Sequence, residues 1–361
     1  MDQLGNTALW VAAVQGHEAV VSRLLEGGAS VDLVCHDGFT ALMVSILNGH
    51  IAVAYRLLEG GASANQAVEG GPIPLMIAAD QGNVAIVSRL LEGGASIDTS
   101  AANGVTALMM AASAGRVAVV STLLEGGASI DLAGANGDTA LMLAAYQGHM
   151  AVVSRLLEGG ASIDLGAANG ATALLLAAAE GHVAVVSMLL EGGAFIDLAG
   201  ADGDTALMLA ASQGHMAAVL RLLEGGASIN LGAANGATAL LLAADQGHVA
   251  IVSRLLEGGA SIDLADEDGD TALMMAAIEG HVAVVSRLLE DGASIDLPNE
   301  NGYTALWLAA HYGHVAVVAR LLEGGASIDP VSIKGNTALM VAEREGHQVV
   351  ADLLREAMRQ R

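Results

Sequence analysis

The sequence predicts an all-α solenoid, curved and elongated, built from short helix pairs stacked one on the next. Three observations predict it. The tripeptide Thr-Ala-Leu begins at Thr7, Thr40, Thr106, Thr139, Thr172, Thr205, Thr238, Thr271, Thr304 and Thr337, and Ile73-Pro74-Leu75 fills the one gap, so every interval is 33 residues. Each unit has the apolar pattern of two short helices. Eleven such units cover nearly the whole chain of 361 residues without insertion, leaving no separate domain and no long linker. Repetition at a fixed period overrides the two or three globular domains that length alone suggests. The expectation is a single repeat domain over residues 1–361, closed by a capping unit at 337–361.

The unit from Gly137 to Leu165 shows how each element arises. Thr139 is a good N-cap, since its hydroxyl can accept from an unpaired amide of the first turn. "ALMLAAYQ" is apolar around most of its circumference and reads as a largely buried helix. Gly148 ends it, where a left-handed residue is needed. In "HMAVVSRLLE", Val152, Val153, Leu156 and Leu157 share one face, and Ser154, Arg155 and Glu158 the other. "GG" stops this second helix, and "ASIDLGAANG" reads as a hairpin-like loop. Helices this short bury their apolar faces only by stacking on neighbours. The unit returns 66 residues later almost unchanged, with Tyr146 replaced by Ser212 and Asp164 by Asn230, which points to duplication of a two-repeat block.

The pattern G-x-T-A-L-x-x-A-A-x-x-G-H-x-x-V-V-x-x-L-L-E-G-G-A resembles the ankyrin repeat, and the resemblance spans all eleven units. One departure is consistent. The family's T-P-L-H becomes T-A-L-M or T-A-L-L, with Trp10 and Trp307 in the first and tenth units, and only Pro74 keeps the proline. The family's histidine helps lock the loop. Met43, Met76, Met109, Met142, Met208, Met274 and Met340 replace it here and are expected to fill gaps between repeats. The resemblance implies a non-enzymatic protein-binding scaffold, with recognition through the loop tips and the exposed side of the first helix.

Composition narrows the function classes. Hydrophobic content is 53% but aromatic content only 2%, so Ala, Val and Leu build the core. No apolar run approaches the ~18–20 residues of a spanning helix, and no basic or cleavage-like signal precedes the first repeat. With Cys35 as the one cysteine, there is no internal disulfide framework, and a cytoplasmic or nuclear setting is expected. Net charge is −25, with Lys334 the single lysine. The recurring arginines, such as Arg23 and Arg155, sit three residues before Glu26 and Glu158, where i,i+3 pairing is available. This argues against nucleic acid, which needs unpaired basic charge, and against anionic membrane; basic protein partners are favoured.

No catalytic or cofactor constellation stands out. His17, His50, His149, His182, His215, His248, His281, His314 and His347 form a ladder with rungs roughly 8–10 Å apart, whereas zinc ligands must meet at about 2 Å from one ion. The expected role is a hydrogen bond bridging the turn and the next helix. Asn83 and Arg116 occupy the same rung. Ser154, His149 and Asp164 lie on different faces. "LADEDGD" fails as a calcium loop at Leu264 and Met275. No enzyme activity, cofactor or metal is expected.

Interface energy comes mainly from Trp, Tyr and Arg, so the placement of the few aromatics matters. Tyr303, His311 and Tyr312 fall on variable positions of the tenth unit, with Trp307 on the same short helix and expected to be the most buried. Asp266, Glu267, Asp268, Asp270 and Glu300 make an adjoining acidic tip, with Glu279 on the neighbouring helix end. His36 and Phe39 share an N-terminal tip beside Trp10, and Tyr146 takes a variable position mid-chain as a further candidate contact. The final unit ends in polar residues, Glu343-Arg344-Glu345. The first keeps Trp10-Val11-Ala12, so either the chain is a piece of a larger multidomain protein or that face meets another surface, and a structural spacer or self-assembling repeat unit is the alternative function.

Overall fold

The computed structural model describes residues 6–360. Among them are twenty-two helices in pairs, with no strand beyond isolated bridges such as Gly232–Thr238 and Ala265–Thr271. First helices have seven residues, or eight at Pro74–Gln81 and Ala305–Tyr312; second helices have nine, except for the last, Gln348–Gln360, which has thirteen. The chain forms two compact units. One runs to Ala173 and includes Glu191–Gly193; the other comprises Leu174–Leu190 and Ala194 onward. Each is a stack of helix pairs.

Seven residues are too few for a stable isolated helix, so caps and packing must hold these. The threonine hydroxyl accepts the N3 amide at Thr40, Thr106, Thr139, Thr205, Thr238, Thr271, Thr304 and Thr337. Ile73 has no such hydroxyl; there the Met76 amide meets the carbonyl of Ile73 at 3.1 Å, and Pro74 at the first helical position has no amide to satisfy. The methionines do more than fill gaps. Met43, Met142 and Met208 are buried, and their sulfurs accept the amides of Thr40, Thr139 and Thr205 at 3.4–3.5 Å. The thioether thus takes up an amide at the helix entrance. Met340 is the exception, at 52% exposed, because no repeat covers it.

The core lies between the helix layers of successive repeats. Ala206, Leu207, Met208, Ala210, Ala211, Ala218, Val219 and Leu222 are all at most 2% exposed. Each buried Leu, Val or Met contributes about 1.5–3 kcal/mol. The paired alanines let neighbouring helices approach closely.

Three hydrogen-bond ladders join successive repeats. Aspartate or asparagine accepts the serine amide 31 residues later, as Asp98 does from Ser129 and Asp197 from Ser228, both at 2.9 Å, and Asn230 from Ser261 at 2.8 Å. Loop backbones pair, as Ala135 N–H does with the carbonyl of Asn103 and Glu267 N–H with that of Asn235, both at 2.9 Å. The histidines form the third ladder, reaching back to the preceding repeat. Nε2 of His50, His149, His215, His248, His281, His314 and His347 lies 2.6–3.0 Å from the carbonyl 36 residues earlier. A carbonyl only accepts, so Nε2 carries the proton. Arg116 substitutes with its Nε–H on the carbonyl of Asp80 at 2.8 Å.

The arginines depart in part from the i,i+3 expectation. Arg56, Arg89 and Arg254 meet Glu59, Glu92 and Glu257. Arg155, Arg221 and Arg320 instead donate from Nε to Ser121, Ser187 and Ser286 of the preceding repeat at 2.9–3.0 Å. Arg287 pairs with Asp291, which stands where other repeats have glycine. The ends also differ. The last described repeat exposes Glu343, Arg344 and Glu345 together with Met340, Val349 and Met358. Val11 and Val20 of the first repeat are 46% and 48% exposed, whereas their equivalents Val44 and Val53 are 6% and 1%.

The histidine ladder dictates the glycine before it. Gly214 has φ +79°, and an added Cβ would lie 2.7 Å from Cε1 of His248. Gly49 has φ +71° with nothing within 4 Å, because Asn83 replaces the histidine that would lie over it and turns inward to cap its own helix. Gly49→Ala should cost about 1–2 kcal/mol from left-handed strain alone. Gly214→Ala should cost about 1–3 kcal/mol more, because the ring must leave its carbonyl. Urea denaturation of the two variants compares them; equal midpoints would show that the ring contact carries no energy.

Candidate functional site

The tenth repeat concentrates the aromatic side chains. Helix Ala305–Tyr312 begins at the Thr304 cap and closes at Gly313, φ +76°. Residues 303, 307 and 311 are spaced four apart, so their rings line one side of the helix. Tyr303 stacks on Trp307 with centroids 3.8 Å apart and planes at 15°. Trp307 continues to His311 at 5.4 Å, and His311 meets Tyr312 edge-on at 4.8 Å. His314 extends the run from Tyr312 at 6.3 Å, a member that sequence reasoning had assigned only to the ladder. Trp307 is 6% exposed and donates Nε1–H to the carbonyl of Asn336 at 3.1 Å, the buried role expected of it. Tyr303 and His311 are half-buried, and Tyr312 is 50% exposed. Nδ1 of His311 is buried without a hydrogen bond, 3.7 Å from a Glu345 oxygen that also holds Arg344.

The neighbouring tip is acidic and ordered. Asp266 Oδ1 accepts the amides of Asp268 and Asp270 at 3.0 and 2.8 Å. The nearly buried Asn299 does the same for Asn301 and Tyr303 at 3.0 and 2.9 Å, and its Nδ2–H donates to Asp270 Oδ1 at 2.8 Å. Asn299 therefore links the acidic tip to the start of the aromatic run. Asp268, Glu267, Glu300 and Glu279 are exposed. Burial pushes the Asp270 carboxyl above the usual carboxylate range; the Asn299 bond lowers it, and Asp266 and Asp268 raise it. Asp204, at the same repeat position, is also raised, by burial and then by Asp202.

The N-terminal group is not brought together in the same way. Trp10 and Phe39 are half-buried and His36 is exposed beside Asp37, with no ring contact among the three. Nε1 of Trp10 is buried without a hydrogen-bond partner. Tyr146 stands 44% exposed at the end of helix Ala140–Tyr146, in the other compact unit from the tenth repeat.

Among the described residues, no group of three or more His, Cys, Asp or Glu is placed to hold a metal ion. No described helix is long and apolar enough to cross a membrane. The family model for ankyrin repeats (three copies) matches residues 1–68, 57–133, 75–167, 126–199, 161–233, 207–299 and 292–360. The chain belongs to the ankyrin repeat family. No curated protein matches it. Among solved structures, the ankyrin repeat domain of human ASB11 is similar, at 31% identity and a TM-score of 0.56, over 60% of this chain and 98% of that one. Ankyrin repeats are generally protein–protein interaction modules and typically non-enzymatic.

The raised Asp270 carboxyl has a consequence for stability. The folded ankyrin stack holds this proton more tightly than the unfolded chain, so the charged group opposes folding above its raised folded value. That opposition fades as pH falls through the folded value. Asp270→Asn keeps an oxygen for Asn299 and removes the charge. The variant is expected to unfold at higher urea than the wild type at neutral pH, with the difference closing on acidification through the carboxylate range. A difference independent of pH would exclude this origin.

Proposed function

We propose that this ankyrin chain is a non-enzymatic recognition scaffold whose protein partner docks on the tenth repeat. The run of ring contacts from Tyr303 to His314, which includes the half-exposed Tyr312, carries the reading. Tyrosine and tryptophan dominate interface energy. Rings already stacked in the free protein have little freedom left to lose on binding. Asp268, Glu300 and Glu279 surround this anchor with negative charge, and the net charge of −25 would steer basic partners toward it. Trp10, His36, Phe39 and Tyr146 are secondary contact candidates. The lone thiol of Cys35 is buried and free, consistent with a cytoplasmic or nuclear protein.

Affinity capture from the source lysate tests the reading, with the wild type and a Tyr303→Ala, Tyr312→Ala double variant as baits and circular dichroism confirming that both are folded. The expected loss is about 2 kcal/mol or more, roughly 30-fold in affinity, for at least one captured protein. Identical recoveries would overturn the assignment.

A second reading rests on the exposed Val11 and Val20, which stand where internal repeats bury valine against a neighbour. It makes the first repeat a self-association face. Light scattering of the wild type should then show a dimer that Val20→Glu dissociates, and a concentration-independent monomer would dismiss it.

A further inference from the structure

Asp204 and Asp270 occupy the same place in their repeats, just before the capping threonine. The residue 29 positions after Asp270 is Asn299, whose amide bonds Asp270 Oδ1 at 2.8 Å. The residue 29 positions after Asp204 is Ala233. Among the described residues no hydrogen bond or ion pair reaches the Asp204 carboxylate. The surrounding backbone is the same in both places. Ala233 N–H donates to the carbonyl of Ala237 at 2.9 Å, as Asn299 N–H does to that of Tyr303 at 2.9 Å. Ala234 N–H meets the carbonyl of Asp202 at 2.9 Å, as Glu300 N–H meets that of Asp268 at 3.1 Å. Beside Asp204 lies a groove of about 380 Å³, lined by Asp202, Asp204, Asn235 and the small apolar side chains of Ala201, Ala233, Ala234 and Ala237, with Leu242; the Asn235 oxygen is already engaged by the amide of Ala237. That volume lies in the range of small-ligand clefts, about 300–1,000 Å³.

We infer that this groove receives a lysine or arginine side chain of a protein partner, whose N–H group bonds Asp204 as the Asn299 amide bonds Asp270. The inference rests on the recognition reading above and adds a contact outside the aromatic tenth repeat. Charge selects a cation over a neutral donor, since two carboxylates face the groove and no basic side chain lines it. A cationic donor makes the stronger, charge-assisted bond. The alanine and leucine walls suit the methylene stem that lysine and arginine bury behind their charge. Burial and Asp202 together raise the Asp204 carboxyl, so a bound cation would relieve a repulsion already present.

The lining side chains supply their own reporters. The 361-residue chain, labelled at alanine and leucine methyls, would be titrated by NMR with N-acetyl-arginine amide and with its neutral isostere N-acetyl-citrulline amide. The arginine probe should give saturable shifts at Ala201, Ala233, Ala237 and Leu242, with citrulline at least tenfold weaker. Asp204→Asn should abolish the response. Ala233→Asn should abolish it too, by placing an internal amide where the probe would sit, while methyls elsewhere keep their wild-type positions. An absent response, equal binding of citrulline, or undiminished binding by Ala233→Asn would overturn the groove. Because the probe is one small cation, any of these results leaves recognition by the tenth repeat untouched.

Discussion

The fit between a left-handed glycine and the imidazole of the following repeat sets the terms for the stack. The turn between two short helices must reverse sharply, and glycine allows it. The same glycine lacks the Cβ that would meet the ring, at 2.7 Å for Gly214 and His248. The ring can then lie flat enough for Nε2–H to reach the last turn of the preceding first helix. One residue pair thus ends a helix, starts the next and satisfies a carbonyl that a helix end leaves unpaired. It also sets the distance between repeats, and the serine and loop-backbone ladders close at constant length only if that distance is constant. The two departures obey the same geometry. Arg116 reaches the carbonyl by a longer route, and Asn83 is too short and leaves open space over Gly49.

Much of this was legible in the sequence, because helix boundaries are local. Threonine caps, glycine stops and 3.6-residue periodicity act within a few residues, and they placed every helix pair. The links between repeats were less legible. A residue that recurs every 33 positions can meet its own repeat or a neighbour, and the period does not say which. Arg155 shows the ambiguity. Glu158 was within reach on its own helix, yet its Nε donates to Ser121 one repeat back. Met142 was readable as an apolar filler, but accepting the Thr139 amide depends on a side-chain torsion that composition does not reveal.

The candidate site divides along the same line. Trp307 buried and Tyr312 exposed followed from their places on an apolar and a variable position of one helix. That Tyr303 is pinned under the tryptophan, and that His314 prolongs the stack, follows from spacing across a helix end, where periodicity stops. Asn299 was the missing link. It reads as an ordinary loop asparagine, yet it joins the acidic tip to the aromatic run through its bonds to Asp270 and Tyr303. Comparing positions 29 residues apart would have flagged it, since the pair Asp270–Asn299 becomes Asp204–Ala233 elsewhere.

A stack of near-identical units makes each exchange at a variable position act almost alone. The backbone hydrogen bonds around Ala233 and Asn299 match, and the amide that Asn299 Oδ1 serves at Tyr303 is served at Ala237 by Asn235 Oδ1, so the loop keeps its form without an asparagine at 233. Such positions can gain or lose a polar group with little effect on the stack, because ladders and core carry the fold independently of them. An aspartate served by an internal amide is closed to solvent partners, and one facing alanine is open to them. On the proposed reading, specificity would depend as much on where small residues leave carboxylates unserved as on where large residues protrude. Alanine and glycine tips, which look featureless in a list of residues, would then be the open positions of the proposed recognition surface.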